Sequence, residues 1–159
     1  MKKILLLAIG FLMTMTSSAQ FEQGKYYCNG SLTGINLSYS GAEKLSLGVE
    51  AKGGYLVADN WMALVMAGYS HDEDVDDKFA VGVGGRYYII QNGLYMGLNA
   101  RLVHGGSGYN DIMPGLELGY AFFLGKSVTI EPSVYYDQSI KNHSDYSKVG
   151  LRIGVGVYL

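Results

Sequence analysis

The stretch Lys148-Val149-Gly150-Leu151-Arg152-Ile153-Gly154-Val155-Gly156-Val157-Tyr158-Leu159 decides the fold. Every second residue in it is aliphatic, and the residues between them are charged, small or aromatic. The aliphatic set is Val149, Leu151, Ile153, Val155, Val157 and Leu159. Successive side chains of a β-strand point to opposite faces of the sheet, so this period of two predicts a strand with one apolar face.

The same alternation recurs through most of the preceding chain. It is regular in the four segments 79–89, 94–102, 115–122 and 128–137, and less regular in segments 34–39 and 45–57. The segment from Trp61 to Tyr69 is apolar on both faces; we assign Trp61, Ala63, Val65, Ala67 and Tyr69 to the outer face. The pattern predicts eight strands of roughly 9–12 residues, the length with which a tilted strand crosses a bilayer.

The connections between these segments alternate in length. Three are tight and contain Asn or Gly: Ala58-Asp59-Asn60, Gln91-Asn92-Gly93 and Leu124-Gly125-Lys126. Longer links run from Asp72 to Asp77, from Gly105 to Asp111 and from Gln138 to Ser147. Short turns at one end and longer loops at the other are typical of membrane barrels. The sequence therefore predicts an all-β fold, an eight-stranded antiparallel transmembrane β-barrel with up-and-down meander topology.

Aromatic residues fall at both ends of the predicted strands. One group lies near the short turns: Tyr55, Trp61, Tyr87, Phe122 and Tyr158. A second lies near the long links: Tyr39, Tyr69, Phe79 and Tyr136. Amphipathic rings collect at the two membrane–water interfaces, so these groups predict two aromatic belts.

The first nineteen residues have the composition of an export signal. Lys2 and Lys3 precede the apolar run from Ile4 to Met13, and Ser17 and Ala19 stand at the −3 and −1 positions of a cut before Gln20. This arrangement predicts a signal peptide over 1–19 and one barrel domain over 20–159. We therefore expect export through the secretory pathway to the outer membrane.

The polar face contains most of the mid-strand charge. Its members come from six predicted strands: Glu50, Lys52, Arg86, Arg101, Glu117, Glu131 and Arg152. An eight-stranded barrel has an interior just wide enough for side chains to fill, and buried charge is costly unless it is paired. We expect these residues to form a nearly neutral interior network, which favours a filled barrel over an open diffusion pore.

Two stretches resemble the small porin-family, OmpA/OmpX-like outer-membrane barrels of the Gram-negative cell envelope. Gly54-Tyr55-Leu56-Val57-Ala58-Asp59-Asn60-Trp61 is similar to the family's strand–turn–strand segment. Arg152, Gly154, Val157 and Leu159 match the register of its C-terminal assembly signal, although Leu159 stands where the family usually has an aromatic residue.

The resemblance implies a structural or surface-recognition role. It also implies several partners: outer-membrane lipid and lipopolysaccharide, and the barrel assembly machinery and periplasmic chaperones during insertion. We expect a monomer. The chain is mildly acidic, with a net charge of −2, and contains no basic patch, so nucleic acid is not an expected partner.

Two other functions remain open from the sequence. His71, His104 and His143 fall near the long links, and His143-Ser144-Asp145 and His71-Asp72 could supply parts of a lipid A acyltransferase or deacylase. A soluble, lipocalin-like barrel would instead place the apolar faces inside. We favour neither alternative. We expect no enzyme activity, because neighbouring residues on an extended segment point in opposite directions and rarely meet the geometry of a catalytic triad.

No metal ion or other cofactor is expected. The acidic run at Asp72, Asp74 and Asp76 has the spacing of a calcium loop but lacks its glycine and its final glutamate. Gly105-Gly106-Ser107-Gly108 lacks the lysine and helix of a phosphate-binding loop. Cys28 is the single cysteine and can form no internal disulfide.

Overall fold

The computed structural model describes residues 21–35, 47–72, 75–89, 93–105, 109–140 and 147–159. Its β-elements are β1 Tyr26–Ile35, β2 Leu47–Ala58, β3 Trp61–Asp72, β4 Val75–Tyr88, β5 Leu94–Gly105, β6 Tyr109–Tyr120, β7 Phe122–Phe123, β8 Val128–Asp137 and β9 Lys148–Tyr158. Over these ranges no helix is long and apolar enough to cross a membrane.

The strands form a single closed sheet. Consecutive strands from β1 to β6 pair in antiparallel register, and β8 pairs likewise with β7 and β9. In addition, β1 pairs with β9 and β6 pairs with β8. The two residues of β7 continue β6 beyond Ala121 and pair with the start of β8. Eight strands therefore surround the lumen in an up-and-down meander, and the predicted fold is confirmed.

The hydrogen-bonded ladder between β6 and β8 is the shortest among the described strands, apart from the two-residue pairing of β7. It contains five pairs, from Gly115↔Asp137 to Gly119↔Ser133. The Gln138 N–H donates to the Pro114 carbonyl oxygen, so even-numbered residues of β8 direct their backbone groups toward β6. Pro132 shares that parity but has no N–H, which explains why the ladder stops opposite Tyr120.

The two faces of the sheet have opposite chemistry. Aliphatic side chains cover the outside; Val65, Val83 and Leu98, for example, are 61%, 62% and 67% exposed. In β3 the outward set includes Trp61, Val65 and Tyr69, as predicted, while the inner face of this strand buries three apolar side chains, Met62, Leu64 and Met66. The described outer surface of the barrel is therefore apolar.

Strand boundaries differ from the prediction at three places. The first strand extends back to Tyr26, whereas the alternation is visible in the sequence only near residue 34, because the preceding outward positions include Cys28 and Gly30. The links predicted for Asp72–Asp77 and Gly105–Asp111 are shorter, since β4 begins at Val75 and β6 at Tyr109. The strands continue to the turn because their backbone N–H and C=O groups pair in the ladder, and this pairing does not depend on the charge of the side chains.

One belt assignment was wrong. Tyr158 is 3% exposed and points into the lumen, because it has the opposite parity to the outward Val157 and Leu159. Tyr55, Trp61, Tyr69 and Phe79 are exposed on the outside. Predictions for the signal peptide and for Leu37, Tyr39, Leu45 and Ser46 lie outside the described residues.

Backbone N–H groups in the ladder between β6 and β8 are predicted to exchange with solvent faster than those in the ladder between β3 and β4. A ladder hydrogen bond contributes about 1 kcal/mol net, so the missing donor at Pro132 should raise exchange near it on the order of fivefold. Amide hydrogen exchange of the barrel in detergent micelles measures this difference. Equal protection along the two seams would contradict it.

Candidate functional site: the polar interior

The seven charged residues that the sequence assigned to the interior lie inside the barrel. Six are buried, and Arg101 keeps 11% of its side chain exposed toward the long-loop end. They come from β2, β4, β5, β6, β8 and β9, so opposite walls of the lumen contribute to one cluster.

Glu117 on β6 lies at the centre of this cluster. Its carboxylate accepts a bond from the Lys52 ammonium at 2.8 Å and faces Arg152 at 3.3 Å. The Arg86 guanidinium lies 3.7 Å away, and the Tyr95 hydroxyl donates to the same carboxylate at 3.2 Å. One buried carboxylate is thus compensated by three cations and a phenol.

Glu131 on β8 is the corresponding anion nearer the short turns. Arg86 forms an ion pair with it at 2.9 Å. The hydroxyl of Tyr27 donates to one carboxylate oxygen at 2.5 Å, and those of Thr129 and Tyr158 donate to the other at 2.8 and 3.1 Å. Charge-assisted bonds of this kind are about twice as strong as neutral ones, so Glu131 is firmly fixed.

The third anion, Glu50, lies toward the long-loop end. It pairs with Arg101 at 3.1 Å and with Lys52 and Arg152 at 3.4 Å each. Arg101 also pairs with Asp137 at 3.0 Å. Asp137, which the prediction had not included in the network, makes the cluster electrically balanced, with four cations and four carboxylates.

Inward-pointing tyrosines belong to the interior network, a role that the sequence did not indicate, although its alternation places Tyr88, Tyr95, Tyr135 and Tyr158 on the inner face. Tyr27, Tyr88, Tyr95, Tyr135 and Tyr158 are all buried. The Arg86 guanidinium lies 3.8 Å above the Tyr95 ring and that of Arg152 lies 4.3 Å above the Tyr135 ring. Cation–π contacts between desolvated groups stabilise both partners.

Glycines on neighbouring strands make room for these long side chains. Tyr95 is paired with Gly119, Tyr135 with Gly150 and Glu131 with Gly154. A Cβ atom on Gly119 or Gly150 would overlap the facing tyrosine ring. Which glycine lies opposite which tyrosine depends on the register between the strands, so the sequence indicates the inward direction of the rings but not the space that holds them.

Among the described residues, the structure assembles no catalytic group from the candidate histidines and their neighbours. His104 is exposed, and its ring nitrogen lies 2.6 Å from the Asn110 side-chain oxygen. The side chains of His71 and Asp72, and residues His143, Ser144 and Asp145, lie outside the description. The described residues contain no group of three potential metal ligands.

The assembly-signal residues divide between the two faces of β9. Arg152 and Gly154 point into the lumen, whereas Val157 and Leu159 lie on the outer face. Cys28 is exposed on the outer face of β1.

No protein-family model and no curated protein matches the sequence. Solved structures do match in three dimensions. Neisserial surface protein A aligns with 85% of this chain and 97% of its own at 17% identity and a TM-score of 0.57. The N-terminal β-barrel domain of Pseudomonas aeruginosa OprF covers 86% and 98% of the two chains at 13% identity, with a TM-score of 0.64.

The chain has the fold of a small outer-membrane β-barrel. A de novo designed transmembrane β-barrel matches comparably, with a TM-score of 0.56, 16% identity, and 87% and 98% of the two chains covered. At these identities the similarity establishes the architecture. The chemistry of the lumen is a property of this chain's own residues.

Replacing Arg86 by methionine is predicted to destabilise the barrel strongly. The change leaves Glu131 and Glu117 without one of their cations, and breaking a buried pair costs about 3–5 kcal/mol. Lys126→Met in an exposed turn is the control and should change the free energy of unfolding by less than about 0.5 kcal/mol. Urea titration in lipid vesicles measures both, and similar values for the two variants would refute the prediction.

Gly119→Ala is predicted to destabilise the barrel by about 1–3 kcal/mol, because the new methyl group overlaps the Tyr95 ring, which also packs against the Arg86 guanidinium. Gly30→Ala is the matched control, since a Cβ there meets nothing within 4 Å. The same titration should show the control within about 0.5 kcal/mol of the parent. A comparable loss in both variants would show that strand propensity, rather than overlap, sets the effect.

Proposed function

We propose that this protein is an integral outer-membrane barrel with a side-chain-filled interior, serving a structural or surface-recognition role rather than acting as an open diffusion porin. The observation that carries the proposal is the balanced interior network, in which each of the four carboxylates faces at least one cation within 4 Å.

The distribution of apolar surface supports a membrane location. The outward residues of the described strands are aliphatic between the aromatic groups at the strand ends, for example between Trp61 and Tyr69 on β3. A soluble barrel of lipocalin type needs the reverse arrangement, with an apolar lumen and a polar outside. The buried Glu117, Glu131 and Arg86 are incompatible with such an apolar lumen.

The interior network supports the absence of an open pore. A diffusion porin of 16 or more strands keeps a water-filled channel, whereas about eight strands leave room for side chains alone. Here the ion pairs cross the lumen; Lys52 on β2 reaches Glu117 on β6, and Arg86 on β4 reaches Glu131 on β8. An ion entering would have to separate these pairs.

The proposed partners follow from this location. Membrane lipid would cover the outer face, and lipopolysaccharide would surround its long-loop end. Assembly would use the barrel assembly machinery and periplasmic chaperones, with the outward Val157 of β9 and the following Leu159 in the recognised segment. We propose a monomer without catalytic activity; among the described histidines, His104 has an amide partner, Asn110, rather than a nucleophile.

A charge placed midway along the outer face is predicted to be far more costly than one near a turn. Val83 lies between the outward-facing Tyr87 and Phe79 of β4, whereas Val57 lies next to the β2–β3 turn. In a bilayer Val83→Arg should cost about 2–4 kcal/mol and Val57→Arg about 0–1 kcal/mol. Reversible unfolding from phospholipid vesicles measures both, and equal small costs would argue for a water-exposed exterior.

The purified barrel is predicted to be electrically silent in a planar lipid bilayer. Ion conduction requires a continuous water-filled path, and the ion pairs that cross the lumen occupy the space that such a path would need. The same preparation should show heat-modifiable gel migration, which establishes that folded protein was added. A stable, reproducible conductance would overturn the filled-lumen proposal.

A further inference from the structure

A residue that belongs to no strand occupies the short-turn end of the lumen. Phe21 precedes β1 and is completely buried. Its ring stacks on Tyr88 with centroids 3.7 Å apart and planes 14° apart. It also meets the rings of Phe123 and Tyr158 edge-on, at 5.6 Å in each case. Three different strand elements therefore surround one side chain of the N-terminal segment.

The segment that presents Phe21 is attached mainly to the turn between β2 and β3. The Asn60 N–H donates to the Phe21 carbonyl oxygen, and the Gly24 N–H donates to that of Leu56, both at 2.9 Å. Gln23 donates its backbone N–H to the Asp59 carboxylate at 2.9 Å and its side-chain amide to the Val57 carbonyl at 3.0 Å. These bonds hold the segment across the mouth of the barrel.

Gly24 gives this segment its shape. Its φ of +95° lies in the left-handed region that favours glycine, and no atom lies within 4 Å of the position a Cβ would take. The positive φ at Gly24 changes the direction of the chain just before β1, and Phe21 on the other side of it is buried at the short-turn end of the lumen.

The polar network begins directly behind the Phe21 ring. The hydroxyls of Tyr88 and Tyr158 lie 2.7 Å apart, and Tyr158 donates onward to Glu131. Glu131 in turn pairs with Arg86, which is 1% exposed. Phe21 thus lies between the solvent at the short-turn end and an ion pair whose strength depends on the exclusion of water.

We propose that the segment from Phe21 to Lys25 is a plug for the short-turn end of the lumen, with Phe21 as the side chain that keeps water from the Arg86–Glu131 pair. The plug lies outside the strands, because all of its residues precede Tyr26, where β1 begins. This inference rests on the proposed function, since a plug matters only for a lumen that is otherwise filled and closed.

Cysteine accessibility tests the plug. In a Cys28→Ala background, Met62→Cys places a thiol near the short-turn end and Ser139→Cys places one beyond β8 at the opposite end; the parent side chains are 2% and 1% exposed. The folded barrel in detergent micelles is treated with a charged maleimide. Phe21→Ala should make position 62 react about tenfold faster, because exposure no longer waits for a local opening. Position 139 should be unchanged.

A second variant tests the same plug without removing the ring. Gly24→Val disfavours a φ of +95° and should lift the segment from the mouth, so position 62 should again react faster while position 139 does not. This variant decides the matter if Phe21→Ala does not fold. An unchanged rate at position 62 in the folded variants, or equal acceleration at both positions, would overturn the proposal.

These outcomes are separable from those of the proposed function. If the parent protein is silent in a planar bilayer and position 62 does not respond to Phe21→Ala, the plug fails and the filled barrel stands. If the parent protein conducts, the filled-lumen proposal fails whatever the labelling rates are.

Discussion

Ionised side chains inside a narrow barrel must neutralise one another, and much of this structure depends on that requirement. Outside the sheet lies an aliphatic surface, so the polar side chains have no other place than the lumen. There, four cations and four carboxylates occupy a space that side chains of eight strands can fill. Glu117 shows the result most clearly, since Lys52, Arg86 and Arg152 all approach it.

The ion pairs also connect strands that share no ladder. Lys52 joins β2 to β6, Arg86 joins β4 to β8, and Arg101 joins β5 to β8. The last of these crosses behind β6 and therefore spans the β6–β8 ladder that Pro132 shortens. The ion pairs and the backbone ladders are complementary in this respect, because an ion pair inside the lumen connects strands where the hydrogen bonds between them are interrupted.

Much of this arrangement was predictable from the sequence because side-chain direction in a strand has a period of two. That rule alone placed Arg86, Glu117 and Arg152 on one face. It could not reveal Phe21, which lies outside any strand and depends on the turn at Gly24. Tyr158 was misassigned because a tyrosine near a strand end satisfies the composition of an interfacial belt, and its contacts with Glu131 depend on the closed barrel.

The pairing of β1 with β9 has a consequence for how the chain reaches this state. Tyr26 and Leu159 exchange two backbone hydrogen bonds, although most of the sequence lies between them. Contacts of such long sequence separation form slowly. Until they form, the sheet has two unpaired edges and an exposed aliphatic face, which together make a template for aggregation. The unclosed chain is therefore the species most in need of protection.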